Sequence, residues 1–211
     1  MRTLDVPLFG NGTVDWARAA EARVDSFPWH ESGLKQTTLV RIALTPGRVH
    51  VRATAQDRWS GAEARALNGA VYNDSCFEFF VTPSRERGGA YVNFEVNCVG
   101  SLHLACGPDI DHRTLSTPAQ AAQVEIRTSI RAAAKVPTPE DREWSVELSF
   151  PVSLLEEMTG KPADPEVWHA NFYRCGGPVE PQYACWSPVE WERPAFHRPE
   201  QFGMLRIVPV E

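Results

Sequence analysis

The chain has 211 residues, 43% of them hydrophobic, and a formal net charge of −6. An acidic chain whose arginines are scattered among acids is unsuited to nucleic acid or to an anionic membrane surface, and no segment approaches the ~20 apolar residues of a membrane span. The hydrophobic content suffices for a packed core, and no Gly/Ser linker, charge block or low-complexity run divides the chain, so one domain over 1–211 is expected.

The opening stretch MRTLDVPLFGNGTVDW lacks the apolar run of a secretory signal, which predicts a cytoplasmic protein. Residues 1–35 show little periodicity; Val14–Arg23 is open to a short helix or an edge segment. Val40, Ile42 and Leu44 fall in phase, Pro46-Gly47 signals a turn, and Val49, Val51, Ala53 and Ala55 alternate after it, which predicts a β-hairpin. Gln56–Gly69 breaks the pattern and reads as a loop.

The stretch from Tyr72 to Gly100 is the centre of the chain. Phe77, Phe79 and Val81 alternate in one strand, and Val92, Phe94, Val96 and Cys98 in the next, which implies one covered and one open face. The second parity carries Cys76, Glu78 and Phe80, then Tyr91, Asn93, Glu95 and Asn97. Strands tolerate amides and acids poorly, so this row belongs either to a solvated face or to one that binds a polar partner.

Alternation resumes over 101–106, and 108–121 is loop. Strands follow at Val124–Ile130 and Trp144–Phe150, and Pro151 opens a short helix that Gly160 ends. Trp168, Ala170 and Phe172 then alternate against His169, Asn171 and Tyr173. A long Pro-rich passage with Trp186 and Trp191 precedes a closing strand, Met204–Val208. About eight to ten short strands and one short helix predict an all-β fold, an antiparallel sandwich or barrel.

The five cysteines show no CxxC spacing and read as buried, reduced thiols. The chain has no GxSxG, GxGxxG, HExxH or phosphate-cradling loop, and its six histidines have no ligand spacing, so neither metal nor cofactor is expected. Glu78 and Glu95 share a predicted face. They are open to two uses: as hydrogen-bond acceptors, or as the acid and base of a glycoside hydrolase, which stand about 5 to 9 Å apart. The supply of aromatics, amides and acids suits a neutral polyol, whose ring faces stack on indole or phenol while its hydroxyls seek polar side chains. Trp144 and Trp168 are in phase with core positions, whereas Trp186 and Trp191 stand in polar surroundings and are candidates for stacking.

YNDSCFEFFVTP, AYVNFEVNCVGSL, WHANFYRCGG, a W-S-P motif and HRPEQFGMLRI occur in order from about residue 36 to 208. Together they resemble the carbohydrate-binding family 9-like proteins, within the wider DOMON-type group of β-sandwiches of immunoglobulin- or jelly-roll-like architecture. The resemblance implies non-catalytic binding of a mono- or oligosaccharide, with carbohydrate catabolism as its setting. In that family a terminal sugar lies between two aromatic rings, one of them six positions ahead of a binding glutamate. Carried over, the pair is Tyr72 and Glu78, with tyrosine where tryptophan is usual, and Trp186 is the second ring. Asn73, Tyr91, Asn93, Asn171 and Arg174 are then the polar partners. Calcium, present in some relatives, is not carried over, because no Asp/Asn loop spacing is found. Some DOMON relatives bind haem through Met or His; a haem carrier is a further alternative, with three Met in the chain, one the initiator.

Overall fold

A computed structural model describes residues 1–30, 33–63 and 65–210. The strands are β1 (Thr3–Phe9), β2 (Ala20–Val24), β3 (Thr38–Thr45), β4 (Arg48–Gln56), β5 (Cys76–Thr82), β6 (Tyr91–Asn97), β7 (Leu102–Gly107) and β8 (Thr114–Leu115), followed by β9 (Glu125–Thr128), β10 (Glu143–Pro151), β11 (Val167–Cys175), β12 (Tyr183–Cys185) and β13 (Gly203–Val210). Two helices interrupt them, α1 (Pro118–Ala121) and α2 (Val152–Thr159).

Pairing runs β8-β7-β6-β5-β11-β13-β1-β3-β4-β10-β9, with β12 added to β11 and β2 to β3. The sheet curls on itself at β13 and β1, so that its two halves face one another as a β-sandwich. Phe79, Phe94 and Phe172 from the first half meet Phe150, Ile42 and Val51 from the second in one core. Phe94 and Phe150 stack across it, with ring centroids 4.2 Å apart. All pairings are antiparallel except those of β1, which runs parallel to β13 and to β3.

Local chemistry accounts for the clearest elements. Gly47, at φ +73°, makes the turn of the β3–β4 hairpin, a conformation that glycine adopts without strain. The helix α2 buries Leu154 and Leu155 and ends at Gly160 in the left-handed region; Pro151 stands just before the helix as its N-cap. Inside the predicted 108–121 loop, Thr117 and Gln120 form a reciprocal capping box that starts α1, a second helix of only four residues. Of Val14–Arg23, the part within β2 is an edge strand and not a helix.

The open face expected of the central hairpin is closed. Every residue of β5 and β6 is buried, with Asn93 and Asn97 at 0% exposure and Glu78 and Glu95 at 2%. The segments around 71–75, 109–113 and 186–202 fold over it, and a second apolar cluster, Val71, Phe80, Tyr91, Tyr173, Phe196 and Phe202 among its members, fills the space beneath them. All five cysteines are unpaired and buried. Among the described residues no helix is long and apolar enough to cross a membrane.

Candidate functional site

Strand register places four side chains in one row across the covered face. Tyr173 on β11 pairs with Glu78 on β5, Glu78 with Glu95 on β6, and Glu95 with His103 on β7. Side chains of paired residues lie on the same face of a sheet, so the two acids stand next to each other. A cleft of about 720 Å³ opens above them. Its floor is Glu78, Glu95 and Cys175, and its walls are Tyr72 and Asn73, then Asp109, Ile110, Asp111 and Arg113, and then Tyr183 with Trp191 and Arg193–Arg198.

Two aromatic rings on this rim are half exposed, Tyr72 and Trp191, each at 48%. Tyr72 follows from a short 3-10 turn, Val71–Asn73, that leads into β5; its ring meets His103 edge-on at 6.3 Å. Trp191 is held by its backbone: its carbonyl accepts from Trp29 Nε1 at 2.8 Å. The guanidinium of Arg198 lies 3.4 Å from the indole centroid, a cation–π contact that backs the ring. The wall between them is tied down by Tyr173, whose hydroxyl donates to the Phe196 carbonyl at 2.8 Å while the two rings stack at 4.2 Å.

The floor is short of hydrogen-bond partners. Glu95 Oε1 accepts from Asn93 Nδ2 at 2.8 Å and lies 3.6 Å from Arg113 Nη1. Glu95 Oε2, Asn93 Oδ1, Arg113 Nη1 and His103 Nε2 are buried without a hydrogen-bond partner. Glu78 Oε1 accepts from the Cys175 thiol at 3.2 Å. Burial, and then repulsion from Glu95, pushes the Glu78 carboxyl well above the usual carboxylate range. Burial also raises Glu95 to about 7, with Arg113 and Asn93 pulling the other way. At neutral pH the floor therefore carries at least one proton on its two acids. His103 Nδ1 faces the carbonyls of Asn68 and Gly69 at 3.1 and 3.3 Å, which only accept, so Nδ1 carries the hydrogen and Nε2 is a bare acceptor.

Of the residues expected from the sequence, Tyr72, Asn73 and Glu78 come together on the cleft. Tyr91 and Asn93 stand behind it. The Tyr91 hydroxyl and His197 Nδ1 share a hydrogen bond of 2.6 Å, and burial lowers His197 to about 3, so the ring is neutral.

Three expected residues lie elsewhere. Trp186 is 3% exposed and belongs to the main core, packed on Phe172 at 5.6 Å and against Gly203, where a Cβ would sit 2.4 Å from the indole. Asn171 spends both ends of its amide on the backbone of Ser187, donating at 2.9 Å and accepting at 2.8 Å. Arg174 is in phase with Phe172, so it enters the interior, where it pairs with Asp57 and lies 5.1 Å from the Trp144 centroid. The residues that the resemblance did not supply are Trp191, Glu95 and Arg113. Trp191 and Glu95 carry signals in the sequence, an indole in a polar loop and a matching strand parity; Arg113 sits in a turn with no pattern that marks it.

Residues 10–207 match the family model of carbohydrate-binding family 9. Among solved structures, the chain is similar to a protein from Bacteroides uniformis ATCC 8492 provisionally assigned to carbohydrate binding. The identity is 27%, the TM-score 0.81, and the alignment covers 98% of this chain and 99% of the other. It also shares its fold with a family 9 carbohydrate-binding module from Caldicellulosiruptor kristjanssonii. In complex with glucose that module aligns at TM-score 0.63 and 13% identity, over 100% of this chain and 97% of the other. In complex with cellotriose the values are 0.62 and 12%, over 98% and 95%. No curated protein matches the sequence.

Proposed function

Because the chain belongs to carbohydrate-binding family 9, we propose that its cleft binds a sugar, a monosaccharide or the end unit of an oligosaccharide, by stacking and hydrogen bonds. Tyr72 and Trp191 receive the faces of the sugar ring. Glu78, Glu95, Asn73 and Arg113 meet its hydroxyls. The observation that carries this reading is the set of buried, unpartnered polar atoms under two half-exposed rings, since such atoms are costly unless something bonds to them. The glucose and cellotriose complexes of the structural neighbours name the first ligands to try. Residues 1–211 act here as one binding domain, and the five unpaired buried thiols support a reducing, cytoplasmic setting.

Cleavage of a glycosidic bond is the rival. Hydrolases place their two carboxyls on either side of the scissile bond. Glu78 and Glu95 share one floor, which favours recognition over hydrolysis.

Calorimetry with glucose, xylose, galactose, cellobiose and cellotriose tests the proposal. Binding of at least one is expected, weakened about 2- to 13-fold in Trp191→Ala, as loss of a ring contact worth about 0.5–1.5 kcal/mol requires. No heat from any of them, or unchanged affinity in Trp191→Ala, rejects it.

A further inference from the structure

Taking sugar binding in the cleft as its premise, we propose a second activity for the same floor: it interconverts the two anomers of a reducing sugar, with Glu78 as general acid and Glu95 as general base.

The geometry is that of two carboxyls on one side of the ligand. Directly opposed residues on adjacent antiparallel strands hold their Cβ atoms about 4.5–5.5 Å apart, and Glu78 and Glu95 are such a pair. Hydrolysis needs groups that flank a bond. Anomer exchange needs two groups that reach the ring oxygen and the anomeric hydroxyl, which are both attached to one carbon. Side-by-side acids meet that requirement.

Their surroundings divide the roles. Glu95 has the Asn93 amide at 2.8 Å and the Arg113 guanidinium at 3.6 Å, both of which favour the anion. Glu78 has the Cys175 thiol at 3.2 Å, and the pull of Arg113 on it is smaller than that of the thiol. Burial, and then repulsion from Glu95, push Glu78 well above the usual carboxylate range, while burial raises Glu95 to about 7, where a general base works best near neutral pH. Two carboxyls pushed apart in protonation by their environments are the usual mark of an acid–base pair.

The steps balance without a co-reactant. Glu95 takes the proton of the anomeric hydroxyl, and the electron pair of that O–H bond forms the carbonyl at C1. The C1–O5 bond breaks with its electron pair going to O5, which takes the proton of Glu78. The open-chain aldehyde turns about C1–C2. The transfers then reverse: O5 attacks the other face of C1 and returns its proton to Glu78, while the carbonyl oxygen regains a proton from Glu95.

Polarimetry or exchange NMR on freshly dissolved α-D-glucose, xylose, galactose and cellobiose, with protein far below the sugar concentration, tests this. Faster exchange than in buffer is expected for whichever of these sugars calorimetry shows to bind. Glu78→Gln and Glu95→Gln should each lower the catalysed rate about 100-fold while affinity changes by no more than about tenfold. Methyl β-D-glucoside has no anomeric proton to give, so it should inhibit and be recovered intact. If a sugar binds and its anomers exchange no faster than in buffer, anomer exchange is overturned and binding stands. If no sugar binds, both fall together. Catalysis that survives in both Gln variants, or methanol released from the glucoside, overturns the roles assigned to the two acids.

Discussion

Replacing Arg174 with methionine removes a guanidinium that is 1% exposed and keeps most of the side-chain volume. Asp57, 3% exposed, then keeps only Trp144 Nε1, which donates to it at 2.8 Å, and loses its counter-charge. Breaking a buried pair in this way costs about 3–5 kcal/mol. In the native chain Arg174 Nε and Nη1 already lack partners, so the pair is imperfectly solvated and the low end applies, about 3 kcal/mol. For a domain of this size that is a fall in Tm of about 6–12 °C. The double variant Arg174→Met/Asp57→Asn removes both charges and leaves an acceptor for Trp144, so it should regain most of the loss. Thermal melts followed by circular dichroism give the first quantity, and calorimetry with glucose or cellotriose gives the second, which should change less than about twofold because the guanidinium points away from the cleft. A single variant with unchanged Tm would refute the reasoning. So would one that melts normally but binds sugar tenfold more weakly, since that places Arg174 at the ligand.

Three other measurements probe the site and its setting. Tyr72→Ala should weaken sugar binding by about 2- to 13-fold, the value of one ring contact, without lowering Tm; equal affinity by calorimetry would remove Tyr72 from the clamp. Folded Glu95 keeps its proton up to about pH 7, whereas the unfolded chain releases it near the ordinary 4.5. Its favourable contribution is therefore present below 4.5 and lost as pH rises through 7. The buried His103 and His197, held neutral, act in the opposite sense below about 6.5, so the comparison is with Glu95→Gln. Between pH 5 and 8 the urea midpoint of the native chain should fall relative to that of the variant, and parallel profiles would contradict the burial argument. A thiol reagent such as DTNB should leave all 5 cysteines unmodified in the folded chain, because burial raises the thiols, to about 12 for Cys98 and about 11 for Cys106, and should modify all of them in urea. Rapid reaction in buffer would contradict the packing.

Strict alternation made β4 and β10 legible, because one side of each packs in the core and the other is partly open to water. It hid β1, where Pro7 interrupts a strand read from sequence and the pairing partner is about two hundred residues away. It also hid β8 and β12, which are too short to show a period. Parity placed Glu78 and Glu95 on one face, and the strand register pairs them. Parity also contained the answers for two residues that the resemblance assigned to the ligand. Arg174 is in phase with Phe172, and Trp186 is in phase with Ala184, both core positions. Trp186 stands one residue past β12 with its amide still donating to the Phe172 carbonyl at 2.9 Å, whereas Trp191 lies further on, where no ladder directs the ring inward. Arg113 had no such signal, since a turn residue reaches the floor only through the curvature of the segment between β7 and β8.

The burial of the acid-and-amide row follows from where the covering segments come from. A polar face of an antiparallel sheet can meet water without cover, so nothing local to β5 and β6 requires a lid. The lid is built by the 109–113 turn and by residues 186–202, the latter about one hundred positions downstream, and is held by apolar contacts such as Phe196 on Tyr173 and Phe202 on Tyr91. Those contacts bury the acids without supplying partners for all their oxygens. A fold selected for stability alone would place apolar side chains at Glu78 and Glu95, as it does at Phe80 beside them. That the acids stand there, beneath an opening and between two half-exposed rings, is a local rule broken at one place in an otherwise consistent sheet, and such a break is where function is to be sought.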